Sequence, residues 1–130
     1  MIGIWSEFSQ TYLLYFFVFT TVAFSIPIFF FPLAWARLMR WSIPEDTDLV
    51  LYFGRCLGSF ALVIAYFIYQ AAATGFGELL IFQILISFSA IMVGLHIYGA
   101  LKHIQPITET LEIGLWALLF FLSLAFYPGA

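Results

Sequence analysis

The chain has 130 residues, 65% of them hydrophobic and 8% charged, with a formal net charge of −3. A water-soluble domain of this size keeps too much surface for its volume to bury that much apolar material. Apolar runs long enough to cross a bilayer recur four times, so the sequence reads as a single integral membrane domain over residues 1–130. No basic stripe accompanies the few charges, which excludes nucleic acid as a partner.

The first nine residues carry Trp5, a residue suited to the interfacial belt. They lack a basic n-region, and the apolar run that follows is longer than an h-region, so no signal peptide is expected. Neither end shows a lipidation motif. The first span is predicted over residues 10–35. Pro27 lies inside it and removes a backbone donor, which predicts a kink near residues 23–27. The segment ARLMRW, residues 36–41, is amphipathic and either lies in the headgroup layer or extends this helix. Ser42 and Glu45, with Pro44 between them, have the spacing of a capping box. They predict a second helix over residues 43–73. Residues 74–77 (TGFG) read as a tight turn. A third helix follows over 78–102, a second turn at 103–106, and a fourth helix over 106–126. Such short turns force antiparallel neighbours, giving an all-α, up-down-up-down four-helix bundle.

Arg37, Arg40 and Lys102 all flank one membrane face, and Arg55 is nearest the same face. The positive-inside rule therefore predicts that loops 36–47 and 103–105 are cytoplasmic. Both termini are then outside, periplasmic if the source is bacterial.

Arg55, His96 and Glu112 fall on three different helices at one depth, roughly 9–10 Å inside the helix ends. Ionisable residues within a membrane usually face protein or water and have partners. The expectation is a polar layer in the cytoplasmic third, with Arg55 in direct contact with Glu112 and His96 within reach. Tyr52 and Glu109 adjoin it on the same stripes. The layer reads as a structural ion pair tying helices together, as a site for an anionic or polar headgroup or for protons, or as residues that face a partner subunit or snorkel separately to the interface. Gly54, Gly58 and Ala61 form a small-residue stripe for close helix packing, and Gly99 offers another such point. On the outer half, Gln70 and Gln83 lie at similar depth and predict an interhelical hydrogen bond.

Other chemistry finds less support. Cys56 is the only cysteine, so no internal disulfide forms, and it reads as a packing residue. His96 and His103 share one helix face about 10 Å apart along the axis, too far to clamp one haem. A metal site would need Glu109 or Glu112 to join a histidine, and none is assigned. No nucleophile motif is present, so nucleophilic catalysis finds no support, and an intramembrane enzyme would need the polar layer to do acid–base work. The sequence leaves cofactors open.

Four short-looped spans with Arg-x-x-Gly (Arg55-Cys56-Leu57-Gly58) resemble DoxX-type small bacterial membrane proteins. That resemblance is one two-residue motif plus the architecture, and it implies no activity. The leading expectation is an accessory or scaffold subunit of a larger membrane assembly, or a self-associating bundle. The alternative is a binder or carrier of a lipophilic or anionic small molecule, such as a lipid, quinone or organic acid. The expected partners are membrane lipid and other membrane subunits or a second copy.

Overall fold

Pro27 has no N–H to return to the carbonyl of Ala23, and the first span is built around that deficit. A computed structural model describes residues 2–129. In it, α1 (Ser9–Thr20) passes into a π-helical turn over Thr21–Ser25 and continues as α2 (Ile26–Phe30). The wider turn lets the Ile26 N–H reach the Thr21 carbonyl. The indole of Trp35 donates to the freed Ala23 carbonyl at 3.1 Å. The kink is where the sequence puts it, and a side chain twelve residues on supplies the missing donor.

Phe31, with φ −133° and ψ 52°, breaks the helix before Pro32, as the residue preceding a proline tends to. A short α3 (Pro32–Leu38) follows. It stops at Arg40, which takes a left-handed conformation with φ 61°. The Trp41 N–H then returns to the Ala36 carbonyl, closing a Schellman-type end.

The second long helix, α4, covers Asp48–Thr74. The capping box expected at Ser42 does not form. Residues 41–47 are not helical, and the helix begins at Asp48. The Schellman turn at Arg40 sends this segment across the end of the bundle instead. The Thr108 hydroxyl donates to the Met39 carbonyl and anchors it there. Gly75 and Gly77, both near φ 73°, then make the tight turn into α5 (Glu78–Lys102). Left-handed φ is the conformation that favours glycine. α5 ends on another non-glycine left-handed residue, His103 at φ 55°. Pro106 caps α6 (Ile107–Ala125).

Among the described residues, four helices are long and apolar enough to cross a membrane: Ser6–Phe30, α4, α5 and α6. They form an all-helical bundle of two close pairs, the first span on α4 and α5 on α6. Gly54 and Gly58 make the first pair possible. A Cβ added to Gly58 would lie 2.5 Å from the Phe29 backbone, and one on Gly54 would lie 2.7 Å from the Pro32 side chain. Ala61, one turn further, is half-buried on the same helix. Gly99 is also buried, but the group that crosses it is the Gln105 side chain from the following turn, not another helix.

The two pairs meet over an aromatic and aliphatic core. Leu13 and Phe82 are fully buried, with Tyr12, Phe16, Ile68, Leu85, Trp116 and Leu119 around them. Tyr12 stacks on Phe126 at 4.8 Å, and its hydroxyl lies 2.8 Å from that of Ser123. The N-terminal segment hooks onto the end of α6 through Gly3 N–H to Leu124 and Trp5 N–H to Ala125, both at 2.9 Å. The predicted Gln70–Gln83 bond is absent among the described residues: Gln83 is exposed, pointing off the bundle.

Gly58→Ala should destabilise the protein by about 1–3 kcal/mol, because the added methyl meets backbone rather than a flexible side chain. Gly94→Ala on α5, where a Cβ meets nothing within 4 Å, should be neutral or stabilising by up to about 1 kcal/mol. Thermal unfolding of both variants in mild detergent checks this. Equal stability of the two would mean that α4 does not close on Phe29.

Candidate functional site: a buried histidine and two glutamates

The turn between α5 and α6 is short enough to lay the two helices side by side, and it sets their register. Ser89, His96 and Gly99 line the inward face of α5. Glu109, Glu112, Trp116 and Ser123 line the inward face of α6. The spacing of three between Glu109 and Glu112 places both carboxylates on one face of a helix. That face meets His96.

His96 is 4% exposed, and its two ring nitrogens have different surroundings. Nδ1 lies 2.7 Å from the Met92 carbonyl oxygen, one turn back on its own helix. A carbonyl oxygen only accepts, so Nδ1 carries a hydrogen and donates it. Nε2 lies 3.1 Å from Glu109 Oε2 and 3.4 Å from Glu112 Oε2. Each carboxylate has a further donor. The Trp41 indole gives its N–H to Glu109 Oε1 at 2.7 Å, and the Trp116 indole gives its N–H to Glu112 Oε2 at 3.0 Å. The Gln105 amide donates to the His96 carbonyl and to the Thr110 hydroxyl, closing the turn over the cluster. Both glutamates are buried, at 9% and 8% exposure.

The structure brings together three of the five site residues expected from the sequence: His96, Glu109 and Glu112. It does not bring Arg55 or Tyr52 to them. Arg55 is exposed, and Tyr52 is 65% exposed. Both lie on the outward face of α4, in a shallow groove of about 370 Å³ with Asp48, Leu51, Cys56 and Ser59. The predicted Arg55–Glu112 contact is therefore absent. Among the described residues, ion-pair contacts are confined to His96 with the two glutamates. The reason is geometric. The polar stripe and the glycine stripe of α4 are adjacent, and the glycines take the inward position because only they admit the first span. Cys56 is exposed on the same outward face.

Sequence reasoning missed the two tryptophan donors. Trp116 was legible as a partner of Glu112, four residues away on one helix. Trp41 was not, because its place depends on how the chain turns at Arg40.

The interior cluster is rich in acceptors and has no guanidinium or ammonium. Such a set does not hold an anion. Two carboxylates around one imidazole nitrogen need protons or a cation between them, and His96, Glu109 and Glu112 present ligand atoms that all lie within 4.8 Å of one another. The condition for a metal site, a glutamate joining a histidine, is met twice. No protein family, curated protein or solved structure matches the chain.

Proposed function

We propose that this chain is an accessory or scaffold subunit that works by joining a further membrane helix, supplied by another subunit or by a second copy. One observation carries the reading: Arg55 is set about 10 Å into α4 and faces away from its own bundle. A guanidinium at that depth costs a few kcal/mol unless a partner answers it. Tyr52 and Ser59 flank it one turn to either side, so the outward face offers a polar strip rather than a single charge. An acidic or carbonyl-rich site on a neighbouring helix fits that strip. The large exposed apolar area of the remaining faces suits lipid.

A second reading is favoured by the groove itself. Arg55, Tyr52 and Ser59 also fit the headgroup of an anionic lipid or another lipophilic anion. This keeps the binder hypothesis for Arg55 and Tyr52 while removing His96 and the glutamates from it.

For orientation we propose cytoplasmic loops at 36–47 and 103–105 with both termini outside. Its support is that Arg37, Arg40 and Lys102 all end at one side of the bundle.

Two experiments test these proposals. Wild-type and Arg55→Glu proteins, extracted from native membranes in mild detergent, are compared by native mass and by mass spectrometry of co-purifying chains and lipids. A partner helix predicts that the high-mass species falls at least tenfold in the variant while thermal stability of the isolated chain holds. Unchanged assembly with loss of anionic lipid supports the second reading and refutes the first. For topology, a single cysteine at position 40 in a Cys56→Ala background should label only after permeabilisation. Labelling from outside in intact cells would reverse the orientation.

A further inference from the structure

We propose that His96, Glu109 and Glu112 form a binding site for one divalent transition-metal ion at the end of the bundle where α5 turns into α6. The proposal is independent of the assembly reading, since it uses none of the residues on the outward face of α4.

Four observations carry it. First, His96 Nε2 stands at metal-shell spacing from both carboxylates, and the three ligand atoms all lie within 4.8 Å of one another. Bonds of about 2.0–2.2 Å set adjacent donors roughly 2.9–3.6 Å apart in tetrahedral or octahedral geometry. His96 Nε2 stands 3.1 Å and 3.4 Å from the two carboxylate oxygens. Second, the histidine is oriented as a ligand. Its Nδ1–H is engaged by the Met92 carbonyl, so Nε2 is the nitrogen that turns its lone pair to the carboxylates when a metal replaces the proton there. Third, Glu109 is held from outside the cluster: Trp41 donates to its Oε1 and leaves Oε2 towards His96, and such an outer partner fixes the ligand rotamer. Trp116 donates to Glu112 Oε2, the oxygen that itself faces His96, and so fixes that carboxylate against its own helix. Fourth, two carboxylates and an imidazole lie together at 4–9% exposure with no guanidinium or ammonium among them, so the charge between them is met by protons or by a bound cation.

The donor set selects the class of ion. One imidazole nitrogen and two carboxylate oxygens suit zinc, manganese or ferrous iron. Calcium takes six to eight oxygens, and no thiolate is present for cuprous copper. Three protein ligands leave at least one position for water or another small oxygen ligand. The loop side of the cluster carries Trp41, 38% exposed, and the non-helical chain over residues 41–47. The bound ion would tie α5, α6 and, through Trp41, the segment after α3 into one unit.

The test uses the full chain without a histidine tag, purified in mild detergent, stripped with a chelator and titrated with Co²⁺ and with Zn²⁺. Calorimetry should give one ion per chain. Cobalt should develop the visible absorption of a four- or five-coordinate nitrogen–oxygen site, and zinc should raise the unfolding midpoint. His96→Ala and Glu112→Gln should each weaken binding at least tenfold. His103→Ala, which removes the exposed histidine of the turn, should leave it unchanged. Trp41→Phe removes only the outer hydrogen bond of Glu109 and should weaken binding about 10–100-fold with the helical circular dichroism intact. That variant and the cobalt spectrum decide the matter if the ligand variants do not fold. Absence of one-to-one binding by the wild-type chain would overturn the site. So would binding that survives in His96→Ala and is lost in His103→Ala.

Discussion

Inside a bilayer no water is at hand to satisfy a buried imidazole, so both nitrogens of His96 must find partners in the protein. One finds the Met92 carbonyl of its own helix, at 2.7 Å. The other reaches across to two carboxylates of α6. With the register set by the short turn, this demand is met by turning His96 on α5 and Glu109 and Glu112 on α6 towards one another. It also reaches beyond the pair. Glu109 needs a donor on its outer oxygen, and the indole that supplies it belongs to Trp41, beyond the end of α3. A cluster of three ionisable residues thereby organises one whole end of the molecule.

The same accounting explains the first span. Pro27 withdraws one donor, and Trp35 returns one to the carbonyl left over. The kink and π turn carry the chain to Phe29 and Pro32, where it meets α4 closely enough that only glycine fits at Gly54 and Gly58. Close approach without side chains between them is how membrane helices gain dispersion contact in a solvent as apolar as their own side chains. α4 then has no choice about its other faces: with the glycines inward, Arg55 is outward.

Much of this is legible in the sequence. Run length gives the four spans, Gly75 and Gly77 give the turn between the second and third, and Pro27 gives the kink. The inward faces of α5 and α6 follow from the spacing of Ser89 and His96, and of Glu109, Glu112 and Trp116. Arg55 lies off the site that its depth suggests, because counting residues from a helix end gives depth, whereas contact also requires the azimuth. On an almost wholly apolar helix two adjacent stripes compete for the interior, and only the packing of Phe29 against Gly58 decides between them. The capping box at Ser42 fails for a related reason. Its local preference is worth about 1 kcal/mol and is overridden where the Thr108 and Trp41 side chains draw the segment over the bundle end. Neither contact has a local signal, because each joins residues 68 or more positions apart.

The central claim is that His96 and Glu112 are coupled and that Arg55 stands apart from both. Two double-mutant cycles measured by unfolding in mild detergent test it directly, one pairing His96→Leu with Glu112→Leu and the other Arg55→Leu with Glu112→Leu. The first cycle should show a coupling of about 1–3 kcal/mol, and the second should be additive to within about 0.5 kcal/mol. Additivity in the first cycle together with coupling in the second would place Arg55 inside the bundle and contradict the account.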